Sequence, residues 1–123
     1  DKARAVTQKG IADAAIFGVI PVNSQSTAYT LVASDQSKTI LHPAADNNAR
    51  TFTIPANGSV AFPIGTVVTF VNKINTLSIA ITSDTLTWAP SGGTGTRSLA
   101  ANGIATATKI ASTEWIISGV GLS

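Results

Sequence analysis

The stretch Thr53-Ile54-Pro55-Ala56-Asn57-Gly58-Ser59-Val60-Ala61 has a near copy at Ser98-Leu99-Ala100-Ala101-Asn102-Gly103-Ile104-Ala105-Thr106. Both copies place Ala-Asn-Gly between runs rich in Thr, Ile, Val and Ala. Asn-Gly favours a tight hairpin, because both central positions of a type I′ turn need a positive φ. We therefore predict two hairpin turns within a duplicated meander. Asn57 and Asn102 are expected to fix strand register and so to matter for folding.

The remainder of the chain after residue 26 consists of short segments rich in Thr and other β-branched residues. Alternation predicts that Leu77, Ile79 and Ile81 face a core, and that Trp115 and Ile117 lie on the face opposite Glu114. Short strands separated by Gly, Pro, Asn, Asp or Ser indicate a β-sandwich or barrel. The predicted strands are 27–33, 38–42, 50–55, 59–62, 66–72, 77–82, 85–89, 97–101, 104–110 and 113–118.

Residues 1 to about 17 favour a helix instead, because good helix formers dominate this segment. Spacings of four and three residues give a weak heptad seam. This pattern has two interpretations, namely the end of a parallel coiled-coil stalk or a single helix packed on its own β domain. Gly18 and Pro21 end the helix, so we assign 1–22 to the stalk and linker and 23–123 to the β domain. The seam positions are Ala3, Thr7, Gly10, Ala14 and Phe17.

The composition is low in charge and high in hydroxyl groups. Charged residues make up 11% of the chain, while Thr and Ser number 17 and 12; an ordinary soluble domain has about 25% charged residues. This surface suits a β protein that covers much of itself in an oligomer, or a secreted or virion protein of low charge. Cysteine is absent, which excludes disulfides and thiolate metal sites. No basic stripe interleaved with aromatics is present, so nucleic-acid contact is not expected.

Residues capable of catalysis are few. His42 is the only histidine, which excludes a two-histidine metal site within one chain, and no nucleophile-elbow motif is present. We predict no catalytic, metal or cofactor site. His42 is expected to end a strand before Pro43; the alternative is an ion bound by three copies on a trimer axis.

A candidate ligand or receptor site lies around a glycine-rich loop. The stretch Ser91-Gly92-Gly93-Thr94-Gly95 is expected to be flexible and exposed. A neighbouring tryptophan suits either a sugar-binding surface or a core position. Arg97 is expected to pair with Glu114 or with an acidic ligand; a pocket for a small anionic solute between subunits would use Arg97, Lys109 or Arg50. The candidate contact residues are Trp88, Gly92, Gly93 and Arg97.

Several pieces of the run from Tyr29 to Leu122 together resemble a β module common at the ends of bacteriophage tail proteins. A helical stalk leading directly into such a module is most similar to the C-terminal knob of a tail needle from a short-tailed phage, also called the head-completion or DNA-stabilisation protein. The pieces are Tyr29-Thr30-Leu31, Asp35-Gln36-Ser37-Lys38, Thr53-Ile54-Pro55-Ala56-Asn57, Val60-Ala61-Phe62-Pro63-Ile64-Gly65-Thr66, Asp84-Thr85-Leu86-Thr87-Trp88, Gly95-Thr96-Arg97-Ser98-Leu99-Ala100-Ala101-Asn102-Gly103 and Trp115-Ile116-Ile117-Ser118-Gly119.

This resemblance implies a homotrimeric jelly-roll knob similar to the tumour necrosis factor family, at the distal tip of the tail in the virion. It implies that the tip contacts or penetrates the host cell envelope, and that the full-length needle plugs the portal to retain DNA. It implies no catalytic residues. The expected fold is therefore a mainly β jelly-roll sandwich, preceded by a short N-terminal helix in a trimeric coiled coil. The alternative is a receptor-binding, glycan-recognising C-terminal domain of a phage tail fibre.

Overall fold

The computed structural model describes residues 18–123, and this part of the chain is mainly β. Its one helical segment is a 3₁₀ turn at Ala33–Asp35. The predicted stalk helix, with its seam positions Ala3, Thr7, Gly10, Ala14 and Phe17, lies outside the described residues. The strands are β1 (Val22–Ser24), β2 (Tyr29–Thr30), β3 (Thr39–His42), β4 (Arg50–Ile54), β5 (Val67–Asn72), β6 (Leu77–Ile81), β7 (Thr85–Trp88), β8 (Gly93–Thr94), β9 (Arg97–Ala111) and β10 (Glu114–Leu122).

Most of the predicted strands are confirmed. The exceptions are 27–33, of which only Tyr29–Thr30 is a strand, 59–62, which is not a strand, and the pair 97–101 and 104–110, which together form the single long strand β9. The short strands β1 and β8 were not predicted, since three and two residues are too few to show alternation. β1 also begins the β domain at Val22, one residue before the predicted boundary.

The first six strands alternate between two layers, and the strands within each layer pair in parallel. In layer A, β1 pairs with β3 and β3 with β5, all in parallel, so that Ile40 lies opposite Phe70. In layer B, β2 pairs with β4 and β4 with β6, again in parallel, so that Phe52 lies opposite Ile79. A jelly roll is built from antiparallel Greek keys. The mainly β, two-layer class is confirmed. The predicted jelly-roll connectivity is wrong for these six strands, because they pair in parallel.

Strand β9 joins the two layers. Its first residues pair with β6 in layer B, with Leu99 opposite Leu77, and its later residues pair with β5 and β10 in layer A. Between these parts Asn102 has a φ of 64°. The second Ala-Asn-Gly therefore bends one long strand from layer to layer, and the hairpin predicted there is wrong. The left-handed conformation that asparagine tolerates is used here for an irregularity in a ladder.

The first Ala-Asn-Gly does not form a type I′ hairpin either. Neither Asn57 nor Gly58 has a positive φ, and the N–H of Val60 donates to the carbonyl of Ala56 (3.0 Å) as in a helical turn. The backbone N–H of Asn57 instead donates to a carboxylate oxygen of Asp84 (2.8 Å). A hydrogen bond from a distant side chain thus holds a conformation other than the hairpin that the local sequence predicts. The predicted duplicated meander is accordingly wrong.

The core lies between the two layers. Phe52 of layer B packs against Phe70 of layer A, with ring centroids 6.5 Å apart, and burial of each such side chain contributes about 1.5–3 kcal/mol. Phe62 packs edge-on against Trp115 at 5.7 Å. Alternation predicted most inward positions correctly: the confirmed ones are Leu77, Ile79, Trp115 and Ile117.

The two layers present different faces to the outside. Layer A is completed by β10, β7 and β8. Its outward side chains, which we call the aliphatic face, are Val22, Ser24, Thr39, Leu41, Val67, Thr69, Val71, Thr85, Thr87, Thr94, Ile104, Thr106, Thr108, Ile110, Glu114, Ile116, Ser118 and Val120. The outward side chains of layer B, which we call the hydroxyl face, are Thr30, Thr51, Thr53, Ser78, Ala80 and Ser98.

Candidate binding site

Trp88 and Arg97 meet at one end of the sandwich. Trp88 ends β7 beside Ile117, on the inner side of layer A, and Arg97 begins β9 opposite Ile79, on the inner side of layer B. The guanidinium carbon of Arg97 lies 5.0 Å from the centroid of the Trp88 ring, which is a cation–π distance. The two side chains therefore close the gap between the layers, while both remain partly exposed.

The loop between these two residues is exposed but well bonded. Gly92 N–H donates to the carbonyl of Trp88 (2.8 Å), and Gly95 N–H donates to the carbonyl of Leu86 (3.1 Å). Gly92 has a φ of 82°, a conformation that favours glycine. A Cβ on Gly93 would lie 3.7 Å from an Nη of Arg97. The loop thus runs close beside the guanidinium.

The structure brings the predicted contact residues Trp88, Gly92, Gly93 and Arg97 into one cluster. The predicted pairing of Arg97 with Glu114 is wrong, because Glu114 lies on the aliphatic face and accepts a hydrogen bond from the hydroxyl of Thr87 (2.9 Å). Arg97 Nε donates to the carbonyl of its neighbour Thr96 (3.0 Å). Within residues 18–123 Arg97 forms no ion pair. Its Nη groups are consequently the donors that a ligand would meet.

Two further cations proposed for an anionic solute are bound internally instead. Lys109 is buried, and its Nζ donates to Asn57 Oδ1 (2.6 Å) and to the carbonyl of Phe62 (2.8 Å). Arg50 donates through Nε and Nη2 to the two carboxylate oxygens of Asp46 (2.8 and 3.0 Å). Lys109 and Arg50 are thus structural. Of the three predicted anion-binding cations, only Arg97 is neither buried nor ion-paired within residues 18–123.

His42 lies inside the sandwich, with a side-chain exposure of 0%. Its Nε2 is 2.8 Å from Asp46 Oδ2, and its Nδ1 is 2.7 Å from Asn72 Oδ1. Asn72 uses its Nδ2 to donate to the carbonyls of Asn75 and Leu99 (2.9 Å each), which fixes its Oδ1 toward the ring. Both ring nitrogens therefore face oxygen acceptors. The alternative of an axial ion bound by three His42 side chains is wrong.

The carboxyl group of Asp46 is the centre of this cluster. Its pKa is held well below its ordinary value, chiefly by the hydrogen bonds from Arg50 and Asn48. Since these bonds favour the charged form, Asp46 stays ionised beside His42. The cluster connects β3 of layer A to β4 of layer B through the loop between them.

Sequence reasoning did not identify a second buried carboxylate, Asp35. It accepts hydrogen bonds from the hydroxyl of Tyr29 (2.6 Å), the side chain of Asn23 (3.1 Å) and the backbone of Val32 (2.9 Å). Burial, followed by the hydrogen bond to Asp35, raises the pKa of Tyr29. The only sequence signal for this buried carboxylate was the pair of motifs Tyr29-Thr30-Leu31 and Asp35-Gln36-Ser37-Lys38. The contact between the two motifs depends on the parallel pairing of the strands.

Among the residues that the structure describes, no group of His, Cys, Asp or Glu side chains has an arrangement suited to a metal ion. In the same range, no helix is both long enough and apolar enough to cross a membrane. Comparisons with protein-family models, curated proteins and solved structures found no match for this chain. The resemblance to phage tail modules therefore rests on the sequence motifs alone.

Proposed function

We propose that this chain is a structural virion module, the distal tip of a phage tail needle that contacts or penetrates the host cell envelope. It would act as a homotrimer, joined to the rest of the tail by its upstream stalk, and the full-length needle would also plug the portal. The placement in a phage tail comes from the sequence resemblance. The mechanical part of the proposal is supported by the internal bonds of the sandwich.

One observation supports the mechanical role most strongly, namely that internal polar bonds tie the loops to the sandwich. Asp46 connects the β3–β4 loop to both layers through its hydrogen bonds. Asp35 bonds in the same way to hold the segment after β2, and Lys109 bonds to the loop after β4. Hydrogen bonds to charged groups contribute about 1.5–3 kcal/mol each. A tip without disulfides that meets a cell surface needs such internal connections to stay folded.

The test is attachment of the fluorescently labelled, 123-residue chain to intact bacteria and to vesicles of their outer membranes. We expect the folded chain to sediment with cells of a susceptible strain, and heat-unfolded chain at the same concentration to remain in solution once aggregates are removed. Absence of attachment across a broad panel of Gram-negative strains would contradict the adsorption role.

A second function, glycan recognition as the tip of a tail fibre, is favoured by the Trp88–Arg97 cluster. An indole under a guanidinium with unpaired Nη donors offers one stacking surface and one anion-binding group. A glycan array probed with the wild-type chain and with Trp88→Ala tests this function. Binding that is lost in Trp88→Ala, while the molecular mass stays the same, supports the fibre; equal array signals for both proteins argue against it.

A further inference from the structure

The aliphatic face exposes large apolar side chains that a sheet facing only water does not need. Val120 is 77% exposed, Val22 is 60% exposed and Ile104 is 48% exposed. Monomeric proteins seldom expose contiguous apolar patches of more than a few hundred Å². Such a patch indicates a surface that another molecule covers.

Two of these exposed residues, Ile104 and Val120, belong to a continuous apolar row that also contains the half-buried Leu41 and Val71. Leu41 lies opposite Val71, Val71 opposite Ile104, and Ile104 opposite Val120, so the row crosses β3, β5, β9 and β10 without interruption. Strands lie about 4.8 Å apart, which makes the row about 14 Å long. It forms a ridge on which a second sheet can pack.

A parallel row of hydroxyl groups lies beside this ridge. Thr39, Thr69, Thr106 and Ser118 are opposite one another on the same four strands, and the hydroxyls of Thr69 and Thr106 are 3.4 Å apart. Because neighbouring hydroxyls can hydrogen-bond with one another, the row is suited to burial at low cost. The face therefore combines apolar side chains with hydroxyl groups, of which Thr69 and Thr106 already partner each other.

The size of the face fits a protein interface. Layer A contains seven strands, which at about 4.8 Å per strand and a mean strand length of about 18 Å give a projected area of about 600 Å². A standard interface buries about 800 Å² on each partner. Corrugation by side chains adds to that area.

The low charge of the face favours a second copy of this chain as the occupant. Glu114 is the only charged side chain on the strands of this face, and its carboxylate already accepts a hydrogen bond from Thr87. A charged partner would bury unpaired charges against this surface at a high cost. Residues 1–17 carry five charges and match it poorly, whereas a second copy presents the same uncharged chemistry.

We propose that copies of this chain pack against one another through the aliphatic face, with the hydroxyl face directed to solvent. This inference rests on the proposed function in that a homotrimer is part of it, and it adds the surface that forms the trimer. Sheets pack face to face at about 10 Å with interdigitating side chains. The contacts in a closed trimer are heterologous, so different parts of the aliphatic face would contact the two neighbours of each copy.

Two charge-balanced double variants test this inference. Ile104→Glu/Val120→Lys introduces an opposite-charge pair at directly facing positions of the aliphatic face, and Thr51→Glu/Ser78→Lys introduces the same pair at facing positions of the hydroxyl face. Light scattering at micromolar concentration reports the mass, and circular dichroism reports the fold. We expect three chain masses for the wild type and the hydroxyl-face variant, and one chain mass for a folded aliphatic-face variant.

A wild-type monomer, or an aliphatic-face variant that keeps the wild-type mass, overturns the inference. If Ile104→Glu/Val120→Lys does not fold, the single Val120→Lys replaces it, since Val120 is mostly exposed. A 123-residue chain that is monomeric, while a chain lacking residues 1–17 associates, would show that this segment covers the face and would also overturn the inference. The interface is judged by mass and the proposed function by cell attachment, so failure of one is distinguishable from failure of the other.

Discussion

The aliphatic face and the hydroxyl face cover the same core from opposite sides, yet they differ in chemistry. Facing positions are Ile104 and Val120 on the first, and Thr51 and Ser78 on the second. Both faces belong to twisted strands rich in β-branched residues, and either chemistry is compatible with such strands. The large aliphatic side chains are thus not required by the core. Their presence on one side indicates contact with another molecule on that side.

The largest effect is expected for loss of the β9–β10 pairing that supports the aliphatic face. A Cβ at Gly119 would overlap the carbonyl oxygen of Ile104 and the backbone of Ala105. We predict that Gly119→Ala lowers the free energy of unfolding by about 3 kcal/mol, measured by urea denaturation, because backbone must move to accept the methyl group.

Gly58→Ala is the matched control for this substitution. A Cβ at Gly58 meets nothing within 4 Å, and its φ lies outside the left-handed region. The unfolding free energy of Gly58→Ala should equal that of the wild type or exceed it by up to about 1 kcal/mol. Equal stability of the two variants would contradict the described β9–β10 register.

A second effect is expected to act on both faces together, through the cluster that connects their layers. The lowered pKa of Asp46 means that its ionised form stabilises the fold fully above the unfolded value of about 3.9, and that this stabilisation is lost as the pH falls below about 4. Urea denaturation of the wild type and Asp46→Asn at a series of pH values measures this contribution.

We expect Asp46→Asn to be less stable at neutral pH and to depend less on pH in the acid range. If the unfolding free energy of Asp46→Asn falls in acid as steeply as that of the wild type, Asp46 is not the source of this pH dependence. Because Asp46 connects the two layers, its replacement should make the backbone amides of both faces lose protection from hydrogen exchange together.

A smaller effect is expected when a side chain typical of one face is placed on the other face. Ile104→Thr gives the aliphatic face a residue typical of the hydroxyl face and should weaken self-association about tenfold, or about 1.4 kcal/mol, because less apolar area is buried. Thr51→Val makes the opposite exchange and should leave the association constant unchanged. Sedimentation velocity over a concentration series measures both; equal weakening by the two variants would remove the distinction between the faces.

The smallest effect is expected at the end of the sandwich, away from both faces. Arg97→Lys keeps the charge but loses the planar guanidinium over Trp88, and should lower the free energy of unfolding by about 0.5–1 kcal/mol. Its molecular mass should match that of the wild type. A change in oligomeric state would show that this cluster, rather than the aliphatic face, takes part in assembly.

Local patterns in the sequence predicted the inward positions and the Trp88–Arg97 cluster. Alternation identifies Leu77 and Trp115 as buried, since side chains of a strand change face at every residue, and the cluster lies around one short loop. The parallel winding was not predictable in this way, because alternation shows which face a residue takes and not the direction of its neighbouring strand.

The conformation at Asn57 was missed for a related reason. The groups that hold it, Asp84 and Lys109, are 27 and 52 residues away in the chain, so no local pattern contains them. At Asn102 the preference for a positive φ was correctly identified, but its use as a bend within β9 depends on pairing with both β6 and β5.

The most direct test of the difference between the faces uses the absence of cysteine from the chain. Val120→Cys and Thr51→Cys each place one thiol at an exposed position, on the aliphatic and the hydroxyl face respectively. Rates of maleimide labelling are measured for the native proteins and normalised to the rates in denaturant. We predict that Val120→Cys is protected at least tenfold relative to Thr51→Cys, and that the protection disappears on dilution as the chains separate. Equal labelling rates at a concentration where the protein is oligomeric would contradict assembly through the aliphatic face.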